Sequence, residues 1–336
     1  MKTYVTGLLI VSLTVAGCSG QSKSSQNPSG RNKETASPLL PVDSQSLQQS
    51  ALTVLQNGLK DRNAYIRSYA AESAAVTQRK ELMPLIIPLL NDPTVGVRFA
   101  AAAASGDMQC TACTKQITAL LKDENESVRL AAAYALAKVN QPGHVGMIRA
   151  SLKSTDQTAR ANAALLLGKL GNLQDLPLLY NTLHDPDSTE KVRMQAVESI
   201  ARLGDEKMYR SKLWALQISK YADDRVMGIR GMGALNTPES RNAILTMLTD
   251  DIPEVRLAAA EQLARLGDKR GEEEVYRYLQ TQPNLNEGNM ANSMAIMAIG
   301  RLNSPRLNPW LAKAINSQSG YLRVIAAESI LLSKDI

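Results

Sequence analysis

The sequence predicts an all-α chain, an α-solenoid of about nine helical hairpins, on three observations. First, arginines that precede alanine-rich runs align in a column: Arg67, Arg98, Arg129, Arg160, Arg193, Arg230, Arg256 and Arg323, with Asn292 in the one remaining position. Their spacings are 31, 31, 31, 33, 37, 26, 36 and 31, so one unit recurs with a period near 31. Second, six residues before the column stand Asp61, Asp92, Asp123, Asp187, Asp224 and Asp250, with Ser154, Asn286 and Ser317 in the other units. All are residue types that cap helices through a side-chain oxygen, so a helix is expected to start there each time. Third, 44% of the 336 residues are hydrophobic but only 4% are aromatic. The core must therefore be built from small aliphatic side chains, which suits close-packed helices and excludes an aromatic-rich β-sandwich.

Read from the N-terminus, the first element is an address. Lys2 precedes the apolar run Leu8 to Val15, which ends in Val15-Ala16-Gly17-Cys18. A positive start, a short apolar stretch and small residues at a cleavage point describe a secretory signal over residues 1–17, too short to span a bilayer as an anchor. Val-Ala-Gly-Cys resembles the lipobox of bacterial lipoproteins, and the resemblance implies that Cys18 becomes the acylated N-terminus. Ser19 in the next position resembles the pattern sorted to the outer membrane, which implies a periplasm-facing envelope protein. Residues 18–46 then shift to Ser, Gln, Asn, Lys and Pro without apolar periodicity, the composition of a flexible tether with a span of roughly 30 Å.

From residue 47 to 336 the hairpins follow one another. After each arginine come runs such as Leu130-Ala131-Ala132-Ala133, with high helix propensity. Nine residues after it stand Lys138, Lys169, Arg202, Arg265 and Arg301, and Gly171, Gly204 and Gly267 follow shortly. A cation in the last turn and a glycine just beyond it are helix C-terminal signals. Before each loop lies a second apolar helix, as in Leu85-Ile86-Ile87-Pro88-Leu89-Leu90. The units resemble HEAT repeats, most closely the short HEAT-like repeats of phycobilisome lyases, through Asp92…Val97-Arg98, Asp123…Val128-Arg129 and Asp250…Val255-Arg256. The resemblance implies one continuous core, and nine stacked units at ordinary helix spacing make a curved rod on the order of 90 Å long. It also implies that the Asp and Arg columns pair between successive units as a ladder. Glu72, Glu198, Glu261 and Glu328, five residues after the arginine, are expected to supply further ladder partners.

The chemistry-bearing residues are few. His144 and His184 are the only histidines, and neither belongs to a His-Glu dipeptide of the kind that holds iron in deoxyhypusine hydroxylase, an enzyme of similar repeats. No nucleophile elbow, P-loop or zinc-protease motif occurs, so no catalytic residue, metal or cofactor is assigned. The glycines of Gly228 to Gly233 lack the preceding strand of a phosphate loop and read as a site of close helix packing. Cys110 and Cys113 suggest a local disulfide in an exported chain, with a redox role or metal binding as alternatives. The net charge of +6 is spread over 38 basic and 32 acidic residues, which does not point to nucleic acid.

Binding is expected where the repeat breaks its own rule. The sixth unit carries Tyr209, Trp214, Tyr221, Met227 and Met232, and the eighth carries Tyr276, Tyr278, Met290, Met294 and Met297. Aromatic and methionine side chains are enriched at interfaces, so these ten residues are the candidate partner-binding set. The functional expectation is a lipid-anchored, non-catalytic scaffold or adaptor for envelope proteins. Redox or lyase-like activity through Cys110 and Cys113, and a small ligand held in the concave groove, are the rival expectations.

Overall fold

The computed structural model describes residues 44–282, 285 and 288–333. The signal segment, Cys18 and the tether up to residue 43 lie outside the described residues. Helix begins at Ser44, three residues before the expected boundary, because Leu47, Ala51 and Leu55 form an apolar stripe that is buried.

Nine hairpins follow, and no strand occurs among the described residues. They pair α1 (Ser44–Gly58) with α2 (Ala64–Val76), α3 (Met83–Ile86) with α4 (Val95–Asp107), and α5 (Thr114–Ala119) with α6 (Glu126–Lys138). Next come α7 (Val145–Ala150) with α8 (Gln157–Leu170), α9 (Leu176–His184) with α10 (Glu190–Arg202), and α11 (Trp214–Gln217) with α12 (Ala222–Leu235). The last are α13 (Pro238–Thr246) with α14 (Pro253–Arg265), α15 (Glu272–Gln280) with α16 (Met290–Leu302), and α17 (Asn308–Ala314) with α18 (Gly320–Leu332). The second helix of each pair is the more deeply buried. Its alanines, such as Ala70, Ala101, Ala132, Ala163, Ala259 and Ala295, are sealed between neighbouring hairpins.

The helix starts differ from expectation. The N-cap stands four residues before the arginine, as with Asn63, Asn125, Asp156 and Ser319. The aspartates six residues before it instead close a turn inside the loop. Asp61, Asp92, Asp123 and Asp250 each accept the backbone N–H two residues on, at 2.8 to 2.9 Å.

The hairpins do not form an open rod. They close into a ring, because α18 packs against α1 and α2 as α16 packs against α17 and α18. Tyr321 of the last hairpin lies against Tyr65 and Tyr69 of the first, with ring centroids 5.2 and 4.9 Å away. Nine units closing a circle turn by about 40° each. Small residues on the inner helices permit so tight a turn: a Cβ at Gly106 would sit 2.7 Å from Ala135 Cα, and one at Gly300 2.4 Å from Ser329 O. The second helices therefore approach one another more closely than side chains would otherwise allow, and they become the inner wall.

Candidate functional site

Three polar systems hang on this frame: the ladder between hairpins, a charged hub inside the ring, and the outer surface. In the ladder, Arg67 forks onto Asp92 of the next hairpin at 2.8 and 2.9 Å, and Arg98 onto Asp123 at 2.8 and 3.0 Å. Several of these arginines also donate to the carbonyl six residues back in their own loop, as Arg67 does to Asp61, Arg98 to Asp92, and Arg256 to Asp250. One side chain thus ties its own loop and its neighbour's together, with a geometry that a lysine could not copy. Burial pushes the Asp92 carboxyl upward, but the Arg67 fork and the Thr94 N–H outweigh it and hold the group below its usual range.

Two ladder positions move from where the sequence placed them. Arg160 pairs with Asp185, while Asp187 is exposed, because the loop before α10 is two residues longer. In the sixth hairpin the ladder arginine is Arg225, which pairs with Asp250 at 2.8 Å and donates to Ser219 O. Asp224 accepts from Ser219 Oγ instead, at 2.6 Å. With Arg225 in the column the spacings become 33, 32 and 31 where 33, 37 and 26 had stood. Arg129, Arg193 and Arg323 bind carbonyls of their own loops. Arg256 reaches Glu274 at 2.6 Å, and Asn292 accepts the Tyr278 hydroxyl at 2.9 Å.

The hub consists of residues five and nine positions after the ladder residue. One helical turn separates these positions, so both project from the inner wall. Glu72, Asp107, Glu198, Glu261 and Glu328 supply the acids, and Lys169, Arg202, Arg230, Arg265 and Arg301 the bases. Lys169 on α8 reaches past α6 to Asp107 on α4 at 2.6 Å, and Tyr134 on α6 also donates to Asp107. Arg202 pairs with Glu198 at 2.5 Å, and Arg265 pairs with Glu261. Arg301 lies between Glu261 at 3.5 Å and Glu328 at 3.9 Å. The glutamates expected in the ladder therefore belong to the hub, more than a turn deeper along each inner helix. Their protonation differs by partner. Burial raises the Glu261 carboxyl, yet Arg265 and Arg301 outweigh it and hold the group below its ordinary range. Burial lifts Glu72 well above that range, with Lys169 opposing, and Glu72 Oε1 accepts no hydrogen bond.

Of the ten candidate partner-binding residues, three are exposed: Trp214, Tyr221 and Met290. Met232 and Met294 are core residues that fill space between hairpins. Tyr209, Met227, Tyr276, Tyr278 and Met297 are half-buried, Tyr276 standing edge-on to Trp310 at 5.5 Å. Ile218, which sequence reasoning missed, is 62% exposed one turn beyond Trp214. Its i, i+4 spacing from Trp214 was the signal available. Gly228 and Gly231 on α12 do mark close packing, since a Cβ at Gly231 would meet Leu213 at 2.4 Å.

Cys110 and Cys113 form a disulfide across the turn into α5, with Cα atoms 5.4 Å apart and Cys113 fully buried. Both histidines are exposed. Among the described residues no group of three or more His, Cys, Asp or Glu could hold a metal ion. No described helix is long and apolar enough to cross a membrane.

The family of HEAT repeats matches residues 114–201, 146–216 and 213–284. In structure the chain is similar to the complex of CpcE and CpcF of phycocyanin lyase from Nostoc sp. PCC7120, at 17% identity and TM-score 0.44, covering 75% of this chain and 99% of that one. It is also similar to human deoxyhypusine hydroxylase in complex with glycerol, at 15% identity and TM-score 0.39, covering 78% and 98%. A third likeness is to Kap121p, at 13% identity and TM-score 0.33, covering 85% of this chain and 37% of that one. No curated protein matches the chain in sequence. The family match spans residues 114 to 284, 171 of the 336, and Asp–Arg pairs join successive hairpins at four junctions, so the chain belongs to the HEAT-repeat family.

Proposed function

We propose that the protein is a lipid-anchored scaffold of the bacterial envelope that binds other proteins through its outer surface and catalyses no reaction of its own. The observation that carries this reading is the division of side chains between inside and outside. Most of the hub acids and bases pair with one another within the ring. The five large exposed apolar groups among the described residues, Leu173, Trp214, Ile218, Tyr221 and Met290, stand elsewhere. Membership of a repeat family whose units present extended surfaces supports the same reading. The lipobox at Val15 to Cys18 supports the anchor.

Two experiments test it. Metabolic labelling with palmitate should mark the full chain and fail on Cys18→Ser, with the substituted protein released from the membrane fraction. The acylated protein, used as bait in detergent-solubilised envelopes, should enrich a discrete protein that rebinds after purification and is lost with Met290→Ala. Enrichment no greater than that of an unrelated lipoprotein bait would remove the scaffold reading.

A further inference from the structure

The sixth hairpin exposes an apolar stripe in a setting of one charge sign. Its outer segment contains a π-turn over Tyr209–Leu213, closed by the Trp214 N–H on Tyr209 O. Such one-residue widenings of a helix cluster at functional sites. Here the turn lets Leu213 enter the core against Gly231, while Arg210, Lys212 and Trp214 remain in solvent. Trp214 is 52% exposed, Ile218 62% and Tyr221 61%, three of the five large apolar residues so exposed among those described. Residues 207–221 contain four lysines and arginines and no acid. Of the flanking acids, Asp205 accepts from Tyr180 and Asp224 from Ser219, which leaves Glu206 and Asp223 exposed at the two ends. Lys220 lies over the Tyr221 ring at 4.9 Å, so the cation and the aromatic present one combined surface.

The geometry points to this face as a docking surface for an anionic lipid bilayer. Tryptophan and tyrosine place an apolar body at headgroup depth with a polar edge toward water, and isoleucine reaches just below them. Arg210, Lys212 and Lys220 meet anionic headgroups around that wedge. A protein partner would need carboxylates matched to each cation in register, whereas a fluid anionic surface meets them in any register. The stripe lies on the outer side of a closed ring, so a flat surface can reach it. This inference goes beyond the scaffold reading and does not depend on acylation of Cys18. Where both hold, lipid and face act as the two signals that stable membrane attachment requires.

The test uses residues 19–336, which keep the whole closed ring and lack the acylated cysteine. Vesicles of phosphatidylcholine alone and of phosphatidylcholine with phosphatidylglycerol are the probes. Trp214 is the reporter, because Trp310, the other tryptophan, is buried. The expected result is a blue shift of emission and co-sedimentation with the anionic vesicles only, weakening as salt rises. Arg210→Ala with Lys212→Ala should weaken binding roughly 25-fold, at about fivefold per cation. Trp214→Ala with Ile218→Ala should abolish co-sedimentation while leaving the thermal midpoint unchanged, since both side chains are exposed. Absence of binding to anionic vesicles, equal binding to both kinds, or undiminished binding by the Trp214→Ala and Ile218→Ala protein would each overturn the proposal. Loss of a protein partner in detergent by that double variant, with vesicle binding intact, would overturn it in favour of a protein-binding face.

Discussion

Ser73 Oγ donates to the Glu328 carboxylate at 2.8 Å, joining the first hairpin to the last across 255 residues of sequence. The same position of other hairpins makes an equivalent bond to a different acceptor. Ser199 donates to Ala164 O at 2.9 Å and Ser329 to Ile296 O at 2.8 Å, each on the preceding inner helix. The closing junction thus reuses the inter-hairpin position, with a carboxylate in place of a carbonyl.

Closure predicts a compact particle. Small-angle scattering of residues 44–336 should give a radius of gyration of about 19 Å, the value for a compact chain of that length. A rod-like scattering profile from the unsubstituted protein would sink the ring. Tyr321→Ala, which removes the contacts of the last hairpin with Tyr65 and Tyr69 of the first, should cost about 2–4 kcal/mol and enlarge the particle by opening it at that junction.

Two hub glutamates should respond to neutralisation in opposite directions. Glu261 is held below its ordinary value of 4.5, so its stabilisation is present above that pH and is lost as pH falls through the folded value. Glu261→Gln removes the carboxylate that Arg265 and Arg301 share and should cost about 3–5 kcal/mol at neutral pH. Glu72 is raised above 4.5, so its contribution is complete below that pH and is lost as pH rises toward the folded value. Glu72→Gln should therefore raise the thermal midpoint at neutral pH and leave it unchanged at pH 4. Urea titrations of both variants across pH check the pair, and a shared sign at neutral pH would contradict the hub assignment.

Backbone strain is stored at one position of the repeat. Every described residue with positive φ stands eleven residues after its ladder residue: Gln78, Gln109, Asn140, Gly171, Gly204, Asn236, Gly267 and Asn303. Glycine adopts this left-handed conformation without penalty, asparagine with little, and glutamine with more. Gln109→Gly should stabilise by about 1 kcal/mol, and Gly171→Ala should destabilise by about the same amount. Thermal melts of the two single variants provide the measurement. A glycine at 109 that destabilises would mean that the glutamine side chain holds the turn.

The corrected ladder register makes a sharper claim about two nearby arginines. Arg225→Ala should lose about 2–4 kcal/mol, because it unpairs the buried Asp250 and unties the Ser219 loop. A double-mutant cycle of Arg225→Ala with Asp250→Asn should show coupling above about 1 kcal/mol. The same cycle with Arg230→Ala should show almost none, since Arg230 faces Glu261 in the hub. Coupling of Asp250 to Arg230 instead of Arg225 would restore the register read from sequence.

The hairpin count and the ladder were legible because they rest on local chemistry repeated many times. A cap, an alanine run and an arginine recur whether or not the neighbouring unit is visible. Where the loop changed length, before α10 and α12, that counting slipped onto Asp187, Asp224 and Arg230, since an arginine five residues along looks the same in a string of letters. The column of positive φ was only partly legible, through its three glycines, because glutamine and asparagine carry no such signal alone.

The sequence by itself determined the helical hairpin, its period, and the near absence of aromatic residues that lets inner helices touch through Ala and Gly. Only the tertiary structure decided that the hairpins close. Closure depends on the angle between units, which accumulates from small inter-helix contacts such as Gly106 on Ala135 and Gly300 on Ser329. Closing the ring gathers charges from distant hairpins into one hub, and so sets Glu261, held low by two arginines, apart from Glu72, raised by burial. It also turns the outer segments outward, which leaves Trp214, Ile218 and Tyr221 facing solvent while Met232 and Met294, read from sequence as the same kind of residue, pack the core.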